Sequence, residues 1–474
     1  MKNQGLNIAV IGSGISGLSA AWLLSRQHHV TLFEKDDRFG GHSHTVFVQG
    51  DNQATPADTG FIVFNDTTYP NLTAFFDYLN VDVINTDMSF AVSITDPANN
   101  SKVEYSGSDL NGMFAQRLNA LKPGFWRMLV DILRFYRASH EWRKTLTAST
   151  TLGELLSRHA YSRKFIDEHL LPMGAAIWST PADKMLHYPA LAFLRFCDNH
   201  GLLRLTHRPQ WQTVKGGSRE YVSKIISQIG NNTLQNRCIR KVKRYQDKVV
   251  ISDLQGTEWQ FDHVVMACHA DTTLQLLSEP DELEQLLLGA FTFQRNTAVL
   301  HSDTRFMPQK KRAWASWNYL GTGRDPVTEN DRGPSVTYWM NRLQHLDGKD
   351  LFVTLNPGFD VDRSLIHGSY LYDHPVFTKA AIEAQQRLWE LQGRQRTWFC
   401  GAWFGYGFHE DGLQSGLAVA EALGGLKRPW TVAGENHRLV LPESFGASAS
   451  TMGSDKKHDS ANKTESVNKT ESVV

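Results

Sequence analysis

Apolar residues fall in short dense runs separated by polar and glycine-rich stretches. Asn7 to Ile11 is the first such run. It is rich in β-branched residues, the pattern of a parallel strand buried on both faces. Leu18 to Arg26 reads as a helix, and His29 to Phe33 as a second strand. Two later stretches, Arg237 to Val242 and Phe261 to Ala267, also read as strands. From Lys122 to Lys144, Phe125, Trp126, Leu129, Leu133, Phe135, Tyr136 and Trp142 occupy most of a helical circumference. Arg127, Asp131 and Arg134 repeat on a narrow polar stripe of that helix. The pattern predicts a largely buried helix. The sharper alternative is a surface helix dipping into anionic lipid, which would make the protein membrane-peripheral. From about Ala447 the apolar runs stop, and the direct repeat NKTESV begins at Asn462 and again at Asn468. Residues 445–474 are predicted to be a disordered tail, because they have too little apolar surface to order themselves.

The first strand and helix are joined by Gly12, Gly14 and Gly17, with Ile15 and Ser16 between the last two. Glu34 closes the second strand, seventeen residues after Gly17. Strand, glycine turn, helix, strand and acid in this order are a dinucleotide-binding fingerprint in its proper context. Gly12 permits the tight turn, Gly14 lets the backbone approach a pyrophosphate, and Gly17 lets the helix pack on the sheet. The helix N-terminus offers N–H groups and partial positive charge to the phosphates. Glu34 is placed to accept from a ribose diol.

A length of 474 residues predicts two or three domains with cores of ordinary size. Balanced charge, 49 Lys and Arg against 49 Asp and Glu, argues against a general nucleic-acid binder. Cys197, Cys238, Cys268 and Cys400 are scattered, which excludes a disulfide scaffold and fits a reducing compartment. No apolar run reaches the length of a membrane span. Glycines interrupt the N-terminal apolar run and no cleavage site follows, so a cytoplasmic location is expected. The 19 histidines include no H-E-x-x-H pattern, and no metal is expected. No G-x-S-x-G follows a strand, so a serine hydrolase is disfavoured.

After Glu34 and Lys35 come Gly40, Gly41, His42 and Thr45, and then Asp58, Gly60, Phe61 and Ile62. Much later stand Trp211 to Ser218 with the pair Gly216-Gly217, then Ile239 and Ala267. The last block runs from Phe399 to Gly416 and contains Phe408, His409, Glu410, Asp411, Gly412, Leu413 and Ser415. In this order the blocks resemble the flavin-containing amine oxidase superfamily, which also holds phytoene desaturases and protoporphyrinogen oxidases. The resemblance implies noncovalent FAD, with Gly40, Gly41, Gly60, Phe61 and Ile62 beside the diphosphate and flavin. It implies an adenine contact from the backbone of Ile239, and contacts to the flavin end from the segment from Glu410 to Ser415. Family members often carry Arg where His42 stands, so a titratable phosphate contact is implied here. Asp411 departs from the usual small residue. Cys400 lies near a flavin motif, yet no covalent-attachment signature accompanies it.

The implied fold is α/β. A discontinuous FAD-type Rossmann domain comprises residues 1–64, 211–274 and 396–444, and an inserted α+β substrate domain comprises 65–210 and 275–395. Amine oxidases of this superfamily typically place a Lys near the flavin. The matching stretch, Thr297 to Asp303, has none, and His301 or Ser302 falls nearest. His301 reads equally as an acid–base residue or as a strand histidine bonded for structure. Phe408, Trp317 and Tyr338 are expected to line the substrate pocket. A pocket of such residues, poor in carboxylates, suits an apolar chain better than a cationic amine. The stretches His301 to Asp303, Trp314 to Tyr319 and Thr337 to Leu343 resemble a subgroup of unassigned substrate, often associated with lipid methyltransferases. The expected function is an FAD oxidoreductase that removes a hydride from a C–N or C–C bond of a small-molecule or lipidic substrate. The alternatives are a flavin-dependent isomerase or mutase that makes no net redox change, and a flavin-bearing scaffold partner of a lipid methyltransferase.

Overall fold

The first strand, β1 (Asn7–Ile11), pairs in parallel with β2 (His29–Phe33) on one side and with His263–Met266 on the other. Thr233–Leu234 and Thr397–Phe399 complete a five-stranded, all-parallel sheet. Three stretches of chain, each separated from the next by more than a hundred residues, thus share one sheet. The computed structural model describes residues 5–50, 54–95, 102–147, 150–178, 185–199, 201–204, 209–321, 323–324, 331–332, 334–443 and 445. The expected disordered tail lies outside them, apart from Phe445.

Helix α1 (Ile15–Leu24) carries no charged residue, only Ser16 and Ser19 as polar ones, and all ten of its residues are buried. That is the signature of a helix covered on every side. It begins three residues before the predicted start and ends two before the predicted end. Helix α2 (Pro70–Tyr78) starts with proline, whose missing N–H costs nothing in the first helical turn. Helix α3 (Pro123–Thr145) is the long aromatic helix expected from the sequence, and α4 (His409–Gly424) follows the last glycine-rich block. Helices α1 and α4 cross in close contact because Gly416 has no side chain. A Cβ there would lie 2.2 Å from the Ser16 carbonyl oxygen. Ile8, Val10, Leu18, Leu32, Phe75, Leu413 and Leu417 share the core between this sheet and its helices.

A seven-stranded sheet is built from the chain between these pieces. Its order is Ile366–Val376, Thr292–His301, Phe352–Leu355, Ser335–Trp339, Trp317–Leu320, Phe90–Thr95 and Lys102–Ser106. Pairings are antiparallel except between Trp317–Leu320 and Phe90–Thr95. Helix α3 packs Phe125, Met128, Ile132, Phe135 and Trp142 into a second core with Tyr105, Tyr319 and Val336. The expectation of a largely buried α3 is corrected here: Trp126, Val130 and Leu133 are exposed. These three lie on one helical face, and the inward face alone satisfies the core.

Residues up to Val440 belong to one compact unit. Of the second unit, only 441–443 and 445 are described. They form a turn in which the Phe445 amide donates to the Pro442 carbonyl at 2.9 Å.

Candidate cofactor and active site

The turn after β1 is the geometric centre of the site. Gly12 has φ +103°, and a Cβ there would lie 2.7 Å from the Ala267 carbonyl oxygen. Only glycine combines that dihedral with that proximity. At Gly17 a Cβ would fall 1.9 Å from the Gly12 oxygen. At Gly14 the situation is reversed, for a Cβ would meet nothing within 4 Å. Packing therefore explains the glycines at 12 and 17, and leaves the one at 14 facing open space at the N-terminus of α1.

The later blocks converge on this turn. A Cβ on Gly41 would sit 3.0 Å from the Gly14 Cα, and the Gly40 amide donates to the Ser13 carbonyl at 3.1 Å. The Phe61 amide donates to the His42 carbonyl at 2.8 Å, and Gly60 is close against the same oxygen. Gly412 lies against Ile15 and Ser16. The Ser415 hydroxyl donates to the carbonyls of Gly401 and Gly412, and the Gly401 amide donates back to it at 3.0 Å. The Ala267 amide donates to the Ile11 carbonyl at 2.9 Å, while Leu413 is fully buried in the sheet core.

Glu34 is buried. One of its carboxylate oxygens accepts from the Ser13 amide at 3.1 Å and the Ser13 hydroxyl at 2.5 Å, and the other from the Asp36 amide at 3.0 Å. A carboxylate offers about four acceptor sites, so capacity for a ribose hydroxyl remains. The sequence pattern does not mark Ser13, but its place between Gly12 and Gly14 aims it at the end of β2. The Arg237 amide donates to the Glu34 carbonyl at 2.8 Å, which brings the strand beginning at Ile239 beside the acid. Lys35 is exposed.

His42 belongs to a group that the sequence does not reveal. Its ring lies 5.0 Å from Tyr372, 5.5 Å from His374 and 6.5 Å from His269. Its Nε2 is buried without a hydrogen-bond partner. Burial, and then the neighbouring His374, His269, His409 and Arg38, hold its pKa well below the usual imidazole range. An orphaned buried nitrogen next to Gly41 and Gly14, in a turn with room at residue 14, fits an anionic diphosphate.

Two carboxylates expected at the cofactor are bonded instead within the chain. Glu410 is fully buried and accepts from the Asn71 amide at 3.0 Å, the Asn71 side chain at 2.8 Å, the Leu72 amide at 3.0 Å and Gln414 at 3.0 Å. It thereby caps α2, satisfying amides that the helix itself leaves free. Asp411 accepts from the Phe408 amide at 2.7 Å and pairs with the buried Arg438 at 3.2 Å. We expect Glu410→Ala to destabilise the apoprotein by about 3 kcal/mol, through buried donors left unpaired. Urea unfolding of flavin-free protein checks this. A loss seen only with cofactor bound would make Glu410 a cofactor contact instead.

Of the proposed pocket residues, Trp317 and Tyr338 face one another across neighbouring strands, with ring centres 5.0 Å apart and nearly perpendicular planes. Both pack on the cluster containing Ile62, Val48 and Tyr372. Tyr338 also packs on the second core, as does Phe408. The structure thus groups Trp317 and Tyr338 with the segment that follows Gly60, and Phe408 with the second core. His301 stands apart from them. It is fully buried, with its Nδ1 accepting from the Asp303 amide at 3.0 Å and its Nε2 2.7 Å from the Thr354 hydroxyl. An imidazole that accepts at Nδ1 is protonated at Nε2, so both ring positions are used. Burial pushes its pKa down to about 4. Among the described residues no group of three or more His, Cys, Asp or Glu is arranged to hold a metal ion, and no helix is long and apolar enough to cross a membrane.

A glycine turn, a buried acid at the end of β2 and returning segments from the middle and end of the chain define a nucleotide-binding protein of the flavoprotein kind. The family model for flavin containing amine oxidoreductases matches residues 15–342, and the chain belongs to that family. Membership implies a flavin cofactor. AofH of Mycobacterium tuberculosis, whose name places it with the flavin-containing monoamine oxidases, is 25% identical over 267 residues, 53% of this chain and 54% of its own. The chain thus spans about half the length of the curated relatives it matches. Among solved structures, cyclohexylamine oxidase from Brevibacterium oxydans superposes with a TM-score of 0.63 at 14% identity, over 88% of this chain and 99% of its own. A fatty acid isomerase from P. acnes gives 0.59 at 14% identity, over 88% and 98%. At these identities the likeness is one of fold.

Proposed function

We propose that the protein binds FAD noncovalently and removes a hydride from a C–N or C–C bond of an apolar, lipidic substrate. The observation that carries the substrate class is the contrast between the aromatic surface and the carboxylates of the cofactor segments, all three of which are engaged within the chain. Ile62, Trp317 and Tyr338 supply apolar surface behind the Gly60 segment, and Phe408 packs beside Tyr338 on the second core. Asp58, in that same segment, accepts from Thr45 at 2.6 Å, the Ser218 amide at 3.0 Å, the Ser218 hydroxyl at 2.8 Å and Gln344 at 2.8 Å. Glu410 and Asp411 are engaged as described above. None of the three is left to pair with an ammonium group, and aromatic and aliphatic surface favours a hydrocarbon chain.

Bound flavin supplies the hydride acceptor, which no side chain can provide. The protein's own contribution is positioning. Gly14 and the N-terminus of α1 admit the diphosphate, with His42 Nε2 as a donor beside it. Glu34 holds the ribose, and the strand from Ile239 lies where the adenine needs backbone contacts. Trp317, Tyr338 and Phe408 orient the chain and exclude water from the reacting carbon. His301, with both nitrogens engaged, is a structural residue in this reading and takes no proton from substrate.

Anaerobic mixing of the holoprotein with fatty-acyl lipids tests the proposal. Bleaching of the flavin band, with a product lighter by two hydrogens, is expected. A product isomeric with its substrate, with the flavin left oxidised at the end, would replace the oxidoreductase with an isomerase. Bleaching by small polar amines, and not by lipids, would refute the substrate class.

A further inference from the structure

The outward face of α3 belongs to no core. Trp126, Val130 and Leu133 stand at positions i, i+4 and i+7, and all three are exposed, Trp126 by 50%. The short helix Leu110–Met113 and the turn Arg117–Leu121 precede α3, and they expose Leu110 and Leu121 by 79% each and Leu118 by 69%. These pieces are joined. The Trp126 indole N–H donates to the Ala120 carbonyl at 2.8 Å, and its ring lies 5.7 Å from Phe114. Six of the seventeen exposed large apolar side chains among the described residues therefore fall within residues 110–133. Scattered apolar residues need no explanation, whereas a contiguous patch does.

The charge on this segment tells what covers the patch. Residues 110–145 contain seven Lys and Arg against two Asp and Glu, in a chain whose formal net charge is zero. Arg137 and Lys144 continue the stripe of Trp126, Val130 and Leu133 towards the C-terminus of α3, and Arg127 and Arg134 flank it. A surface cavity of about 430 Å³ opens beside them, lined by Arg134, Arg137, Ala138, Trp142, His159 and Tyr161. The Arg134 guanidinium lies 4.7 Å over the Tyr161 ring, and Arg137 is exposed. Apolar and aromatic side chains on one face, bordered by basic ones, form the in-plane arrangement that suits a bilayer interface. Arg127, Arg134, Arg143 and Lys144 pair with Asp131, Asp198 and Glu141, so the basic rim is held in place around the apolar face, and an anionic bilayer presents phosphate wherever a basic group arrives.

We propose that residues 110–145 are a membrane-docking face. Leu110, Leu118, Leu121, Trp126, Val130 and Leu133 enter the acyl boundary of an anionic bilayer. In the cavity, where Arg134 is held by Asp131 and the His159 carbonyl, Arg137 receives a lipid phosphate. The proposal deepens the lipidic-substrate reading by naming where such a substrate is met, and it does not depend on the flavin chemistry.

The test is co-sedimentation of full-length holoprotein with phosphatidylcholine vesicles, with and without phosphatidylglycerol, at low and moderate salt. Binding is expected with phosphatidylglycerol only, and it should weaken as salt rises. Arg137→Gln should weaken it about fivefold. Leu118→Glu with Leu121→Glu should abolish it, with flavin content and circular dichroism unchanged because these side chains are exposed by 69% and 79%. No binding at low salt overturns the proposal, as does binding that both variants retain. Concentration-dependent self-association of the wild type, lost in the Leu118→Glu, Leu121→Glu variant and unaccompanied by lipid binding, would assign the face to a second copy and also overturn it. Reduction by a detergent-dispersed lipid separates the two readings. Docking without reduction leaves this proposal standing while the substrate reading fails, and reduction without docking does the converse.

Discussion

Changing Gly14 to valine is expected to leave a folded protein that holds no flavin. The backbone at residue 14 has φ −64° and ψ 175°, which any residue adopts, and a Cβ there meets no atom within 4 Å. A β-branched residue in place of glycine at the start of α1 costs up to about 1 kcal/mol. The diphosphate, however, needs the bare backbone at this turn. We expect a fall in flavin affinity of about 100-fold, equivalent to ~2.7 kcal/mol. Titration of the apoprotein with FAD, beside thermal melting of the same sample, measures both quantities. Gly17→Ala is the control. Its Cβ would lie 1.9 Å from the Gly12 carbonyl oxygen, where no flexible group can give way, so that variant should lose its fold. Equal flavin content in Gly14→Val and wild type would show that the turn holds no diphosphate.

Acid should unfold the apoprotein steeply below pH 6.5. Burial pushes His44, His169 and His301 down to about 4 and His409 to about 3, and it holds His42 well below the usual range. Unfolded imidazole titrates near 6.5. Above that pH neither state is protonated at these groups, and their contribution to stability is full. Below it the unfolded chain takes up protons that the folded chain refuses, so stability falls as pH falls. Asp58, pushed up to about 6 by burial, and Glu410, also raised by burial, act in the opposite direction. The imidazoles outnumber the two carboxyls, so the net effect of falling pH is a loss of stability between about pH 6.5 and 4. Melting temperatures across pH 7.5 to 4.5 should drop accordingly, and a flat profile would contradict the burial of these rings.

The parts of this protein readable from sequence are those where the chain's own spacing carries the geometry. β1, α1, β2 and the glycines between them are local, and local steric requirements at Gly12 and Gly17 leave few other residues usable. Glu34 could be placed because it ends a strand of known register. What escaped depends on contacts between distant stretches. His42, His269 and His374 form one group, yet more than a hundred residues separate each from the next. Glu410 and Asp411 read as cofactor contacts because they sit in a flavin motif. Their bonds to Asn71, Leu72 and Arg438 follow from how α2 and the chain after α4 fold back. His301 was ambiguous for the same reason, since its partner Thr354 lies on a neighbouring strand. For α3, residue types revealed an apolar circumference, but not which side of it the second core would need.

The account rests on separated segments building a single FAD site, and titration of purified apoprotein with FAD and with FMN tests it most directly. One FAD per chain is expected, fully released on denaturation, with FMN bound far more weakly because it lacks the adenosine half that Glu34 and the strand from Ile239 are placed to hold. Folded protein that stays colourless in excess FAD, or that binds FMN equally well, would contradict it.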